Sequence, residues 1–295
     1  MKPAPFQYVA PATLNEALLA MNQHGSDAKL LAGGQSLIPV MNFRLAYPSV
    51  IVDLNRVDGL SGLHPTEAGE LRIGAMVRHS QLEHSQTVAE YAPVVREAMP
   101  HIAHPQIRNR GTLGGSLAHA DPAAELPVAM VALQARFRLQ NTSGERWVNA
   151  EAFYESLFMT ALEPEEILVE VAIPPLPRHT GYAFMELARR HGDYAQAGVV
   201  AIVRLDESGT CRHARLVYLN VGEIPMVADG AAAMLVGHVP SANLINDAAH
   251  HAAQNEIDPT GDIHATAEYK RHLASVLGRR AIEQAVSRAR EGWGL

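Results

Sequence analysis

The chain of 295 residues contains one cysteine, Cys211. An internal disulfide is therefore impossible, and a cysteine-ligated iron–sulfur cluster on this chain alone is excluded. A lone cysteine in a strand-like segment reads as a small buried hydrophobe. No lysine or arginine block stands out, and the net charge is −7, so nothing points to nucleic acid. No apolar run is long enough to span a bilayer, and the opening Met1-Lys2-Pro3-Ala4-Pro5-Phe6 has no signal-type apolar core, so a cytoplasmic chain is expected. The 15 histidines are scattered, without metal-ligand spacing; no metal site is expected. His79, His84 and the pair His250-His251 read as surface or capping residues. The chain also lacks the G-x-G-x-x-G of a Rossmann fold and the lysine of a Walker loop.

Two paired-glycine segments are present instead. Ala32-Gly33-Gly34-Gln35-Ser36 follows the short apolar strand Ala28–Ala32, and Thr112-Leu113-Gly114-Gly115-Ser116 lies about eighty residues further on. Adjacent glycines let backbone N–H groups converge on an anion with no Cβ in the way. Two such loops suit the two halves of a pyrophosphate, hence a dinucleotide. Either alone is weak, because ordinary turns also use glycine. The second sits behind a dense polar stretch, Pro105-Gln106-Ile107-Arg108-Asn109-Arg110, which is costly to bury unless its groups find partners.

The length fits two or three domains, and 47% hydrophobic with 19% charged residues describes an ordinary globular protein. Phe6–Val9 reads as an edge strand. Thr13-Leu14-Asn15-Glu16 is a capping box, opening a helix that buries Leu14, Ala17, Leu18 and Met21. Ser36 is expected to cap a brief helix through Met41. With the strand Val50–Leu54 this order predicts a small parallel α/β unit. Further strands are expected at Leu71–Gly74, Arg136–Gln140 and Ile167–Ile173, with helices from Ser80, over Ala92–Met99 and over Pro127–Leu133. Pro174–Pro177 marks a domain boundary. Beyond it, Gly181–Leu187, Gly198–Arg204 and Cys211–Val221 predict three antiparallel strands. Helices over Ala228–Leu235, Ala242–Gln254 and Glu268–Arg290 complete an α+β second half, whose plain reading is packing and subunit contact.

The run Ile107-Arg108-Asn109, Gly111-Thr112-Leu113-Gly114-Gly115-Ser116 and His119-Ala120-Asp121-Pro122-Ala123-Ala124-Glu125-Leu126-Pro127 resembles the flavoprotein (medium) subunits of molybdenum hydroxylases. These include carbon monoxide dehydrogenase and the xanthine dehydrogenase FAD-subunit family. Ala32–Leu37, Glu186–Ala195 and Tyr269–Leu273 match that family as well. The resemblance covers essentially the whole chain.

It implies a vanillyl-alcohol-oxidase (PCMH)-type FAD-binding domain of two α/β subdomains over residues 1–176. The family's C-terminal α+β domain would follow over 177–295. It implies FAD bound by the first segment and its approach (Lys29, Leu31, Ala32, Gly33, Gly34, Gln35, Ser36, Leu37). The second segment and its helix would contribute Gly111, Thr112, Gly114, Gly115, Ala118 and His119. Asp121 fits either a sugar-hydroxyl acceptor or a helix N-cap before Pro122. Ile102, Ile107, Leu162 and Leu168 fit either ring-lining or plain core. Tyr194 would shield one face of the isoalloxazine. Some relatives carry lysine where Met185 stands, which leaves the acceptor open. The implied function is electron transfer from [2Fe-2S] clusters on an iron–sulfur small subunit to FAD, then to an external acceptor. A molybdopterin large subunit would oxidise a small organic, N-heterocyclic substrate or carbon monoxide. A dimer of heterotrimers is the implied assembly. Two other readings stay open: a stand-alone flavin reductase of the same FAD fold, and a scaffold subunit that has lost its flavin.

Overall fold

The computed structural model describes residues 2–292; Met1 and residues 293–295, the outer ends of the two expected domains, lie outside them. The first unit is the expected parallel one. Val50–Asp53 lies between Gln7–Val9 and Ala28–Leu31, parallel to both. All four of its residues are buried, as suits a central strand covered on both faces. The helix Leu14–His24 packs beside it. Thr13 Oγ1 accepts from Glu16 N–H at 3.2 Å and Glu16 reaches back to Thr13 N–H, a closed capping box.

A five-stranded antiparallel sheet follows, in the order Leu63–Pro65, Leu71–Gly74, Ile167–Ile173, Arg136–Asn141, Gly144–Asn149. Its central strand Ile167–Ile173 serves two cores. Ile167 and Val169 face the parallel unit, while Leu168, Val171 and Ile173 face the main apolar cluster. Glu170 alone interrupts the apolar run; it is half-buried and pairs with Arg72 at 2.9 Å, while the other six residues are buried, as in a strand covered on both faces.

The second half is a sheet of Thr180–Ala188, Ala195–Leu205, Cys211–Leu219 and Met226–Val227, all antiparallel. The expected three strands are thus four. The two-residue fourth strand carries no periodicity from which it might be read. Cys211 is a buried strand residue, as expected. The helix Ala267–Glu291 lies across this sheet. Gly181 lets it approach, since a Cβ there would strike the backbone of Ala285 and Ala289. The main apolar cluster runs on through both halves: Phe184, Val200 and Val217 pack with Val94, Leu126 and Met130. Arg288 crosses between the halves to Glu97, at 2.8 Å.

Two other local expectations change. The helix after the first glycine segment is Leu37–Asn42, but Ser36 makes no side-chain cap to it. The second glycine segment is not a loop. Thr112 caps the helix Leu113–His119, so Gly114 and Gly115 form its first turn. The cap bond, Gly115 N–H to Thr112 Oγ1, spans 3.1 Å.

Candidate FAD site

The fold brings the two glycine segments into contact. A Cβ on Gly33 would overlap the Arg110 carbonyl and stand 2.7 Å from Gly111 Cα; one on Gly115 would stand 3.4 Å from Ala32 Cβ. Gly34 has φ +73°, the left-handed region that favours glycine. The first segment turns its carbonyls inward. Those of Ala32, Gly33, Gly34 and Ser36 accept from Asn55 Nδ2, Gln35 Nε2, Ile38 N–H and Val40 N–H respectively. Among the described residues, the amides of Gly33, Gly34, Gln35 and Ser36 donate to no protein acceptor. Successive free amides around a left-handed glycine form an anion-binding nest.

The nest opens on a cavity of about 350 Å³ lined by Leu31–Gln35, Ile38, Pro39, Asn42, Asp53, Asn55 and Arg110. A polar brace frames it. Tyr8 O–H donates to Asp53 at 2.6 Å, and Asp53 accepts from Asn55 N–H at 2.9 Å. Arg78 donates to Asn55 Oδ1 at 2.5 Å and to the Arg110 carbonyl. The bonds from Tyr8 and Asn55 outweigh the burial of Asp53 and hold its carboxyl below the usual range. Asp53, Asn55, Arg78 and Arg110 were not singled out from the sequence. The Asp-x-Asn spacing that lets a carboxylate cap its own turn was the available signal.

The second segment behaves differently. Leu113 N–H donates to Val77 O at 3.0 Å and Gly114 N–H to Ala75 O at 2.8 Å. Its glycines serve packing: a Cβ on Gly114 would lie 2.5 Å from Ala75 Cβ, and one on Gly111 2.8 Å from His79 Nδ1. His79 is buried, contrary to its surface reading, because the polypeptide after Gly111 closes over it. Its Nε2 lies 2.9 Å from the Thr112 carbonyl, which can only accept, so Nε2 carries the proton. Burial, joined by the nearby Arg108 and Arg78, pushes the imidazole down to about 4. Its bonded neighbours, and no surface or capping role, account for its place.

The other expected residues do not line this cavity. Lys29 is exposed and lines a second cavity with Ser26, Asp27 and Tyr47. Ser36 and Ala118 are exposed, Leu37 and Ile107 half-buried. His119 packs on Phe158, ring centres 5.2 Å apart. Ile102 and Leu168 belong to the main core, and Leu162 packs against it. Asp121 does not cap a helix: its Oδ1 accepts from Ala123 N–H at 2.9 Å in a turn, and the next helix begins at Glu125. Glu125 is buried, and burial followed by the charges of Glu186 and Asp121 pushes its carboxyl up to about 8. Tyr194, 67% exposed, comes from the second half of the chain to this cluster. Partial loss of solvent around the phenol, then the charges of Asp121 and Glu125, push it above the ordinary value.

Comparison with known proteins gives the family. Residues 4–176 match the model of the FAD binding domain in molybdopterin dehydrogenase, and residues 182–285 that of the CO dehydrogenase flavoprotein C-terminal domain. The alpha subunit of the 6-hydroxypseudooxynicotine dehydrogenase complex of Paenarthrobacter nicotinovorans is 43% identical, over 98% of this chain and 97% of that one. The structure of carbon monoxide dehydrogenase from Hydrogenophaga pseudoflava superposes with a TM-score of 0.94 at 37% identity, covering 97% and 99% of the two chains. That of quinoline 2-oxidoreductase from Pseudomonas putida 86 gives 0.92 at 39% identity, covering 97% and 99%. These full-length similarities favour the dehydrogenase subunit over the stand-alone reductase and the flavin-less scaffold. The chain belongs to the FAD-carrying medium subunits of the molybdenum hydroxylases, oxidoreductases of the carbon monoxide and xanthine dehydrogenase family.

Proposed function

We propose that FAD enters this cavity with its pyrophosphate on the nest of Gly33, Gly34, Gln35 and Ser36, and that its isoalloxazine lies between Asp121 and Tyr194. The observation that carries this is the set of inward carbonyls and unpaired amides beside Arg110. Those amides donate to the phosphate oxygens, and the guanidinium of Arg110 neutralises their charge. Gly114 and Gly115 support the nest from behind, since the Gly114 amide is already committed to Ala75. Thr112 fixes the first turn that carries them. Asp121 accepts from a flavin or sugar hydroxyl, and the Tyr194 ring keeps water off one flavin face. When bound, FAD supplies the junction between one-electron carriers and an external acceptor. The reading divides the chain into a flavin domain over 1–176 and a C-terminal domain over 177–295 that covers the flavin.

The electrons come from [2Fe-2S] clusters of a small partner subunit, because a single cysteine cannot hold them here. A molybdopterin large subunit oxidises the substrate. The nicotine-derivative and quinoline enzymes among the relatives support an N-heterocyclic substrate. Uncovered Phe43, Leu45 and Tyr47 support contact with partner chains, in a dimer of heterotrimers. No helix among the described residues is long and apolar enough to cross a membrane; the cytoplasm is the proposed location.

Purification with co-expressed partners tests this. Heat release should yield stoichiometric FAD from this subunit. An assembled, active complex whose medium subunit carries no flavin would overturn the reading.

A further inference from the structure

One lysine sits where a lysine is expensive. Lys270 is 3% exposed, with Nζ 2.7 Å from Asp262 and 3.3 Å from Asn220 Oδ1. Burying an ammonium costs more than burying an apolar side chain of the same size unless its contacts compensate. The contact with Asn220 has a directional consequence. An ammonium only donates, so it turns the amide oxygen of Asn220 toward itself. The amide nitrogen must then face the other way. It donates to Ala195 O at 2.5 Å and lies 3.3 Å from Gln196 O.

The Asn220 backbone reaches the first half of the chain. Its backbone N–H donates to Pro122 O at 2.8 Å. It does so from φ +56°, a conformation asparagine tolerates better than most residues. One residue therefore ties Pro122, next to Asp121, to Ala195, next to Tyr194. These two segments come from opposite halves of the chain. Gln196 Nε2 adds a bond to His264 O at 2.9 Å, and Asp262 accepts from His264 and Ala265 N–H at 2.7 and 2.9 Å. The Lys270 partners are thereby fixed in turn.

We propose that Lys270 and Asn220 form a positioning clip that sets how closely Tyr194 stands to Asp121 and thus how tightly the chain closes on the flavin ring. This rests on the flavin placement given above. Neither residue touches the flavin in this reading; both act through the segments they hold.

The test uses the FAD-loaded, fully assembled complex. Asn220→Gly keeps the left-handed backbone and the Pro122 bond and removes only the side chain. Asn220→Asp keeps a partner for Lys270 and loses the donor to Ala195. Lys270→Met removes the charge that orients the amide. The readouts are FAD content, FAD fluorescence yield and quenching by iodide. FAD content should stay near stoichiometric in all three variants. The iodide quenching constant should rise about twofold or more as Tyr194 loosens, with a parallel rise in fluorescence, because stacked aromatics exclude solvent. Folded Asn220 variants with unchanged fluorescence and quenching would overturn the clip. Tyr194→Ala separates the two readings. If it raises quenching while the Asn220 variants do not, the clip fails and the flavin placement stands. If neither does, the placement fails and the clip with it.

Discussion

The two glycine segments look alike in sequence and work differently in space. Ala32–Ser36 spends its carbonyls inward and leaves four amides free around a left-handed glycine. Thr112–Gly115 is the first turn of a helix, and the amides of Leu113, Gly114 and Gly115 already have protein acceptors. Both let backbone approach backbone, at Gly33 and at Gly114, but only the first also keeps amides that no protein acceptor uses. The lesson concerns glycine pairs generally. Missing Cβ atoms serve either purpose, and the hydrogen-bond ledger of the segment decides which.

Gly114→Val should break the second segment outright. The added atoms have Ala75 Cβ 2.5 Å from the branch point, with Ala75 backbone behind it. A loss of about 3 kcal/mol or more is expected for such overpacking. Thermal melting of the flavin-free chain should show it. A wild-type melting temperature there would mean that the second segment is as open as the first.

His79 supports the second segment only while neutral. Its folded pKa of about 4 lies below the ordinary 6.5. The unfolded chain therefore takes up the proton first as pH falls, and acid favours unfolding. The stability tied to neutral His79 is intact above pH 6.5 and lost progressively down to pH 4. A shift of that size corresponds to roughly 3 kcal/mol. His79→Gln can still donate to the Thr112 carbonyl and has no such titration. Urea melts at pH 7 and pH 4.5 should show a smaller acid loss for the variant than for wild type. Equal losses would remove His79 from the account.

Gly34→Ala should act mainly on the ligand. It forces a Cβ into φ +73°, with Ile38 Cγ1 and Leu31 Cδ1 at 3.2 Å, a strain of about 1 kcal/mol. FAD affinity should fall about tenfold or more, because the nest is distorted, while the flavin-free melting temperature changes little. Titration with FAD measures the first and calorimetry the second. A large loss of apo stability with unchanged affinity would reverse the roles of the two segments.

Much of the scaffold is legible in the sequence. Thr13 and Glu16 announce a helix, the mainly apolar stretch Ile167–Ile173 announces a strand, and the spacing around Leu273 and Leu277 announces the long final helix. The edge strands Gln7–Val9, Ala28–Leu31 and Thr180–Ala188 were legible, but Gly144–Asn149 was not. Gly144–Asn149 is largely exposed, so neither face imposes a period-two pattern on it. Site residues followed the same division. Gly33 and Gly34 stood out by their chemistry. Asp53, Asn55, Arg78 and Arg110 did not, because each matters through partners 23 to 45 residues away in sequence. Asp121 was open between two readings, and its turn geometry was neither the helix cap nor anything the Asp-Pro spacing alone fixes.

The sequence by itself determined the family, the lack of cysteines for a cluster, the glycine pairs and the Thr13 capping box, since these depend on residue chemistry within a few positions. Only the tertiary structure decided which glycine segment keeps free amides, that His79 is buried and neutral, and that Asn220 joins Pro122 to Ala195. Burial and hydrogen-bond satisfaction depend on neighbours that the chain supplies from far away, and no local pattern states which ones arrive.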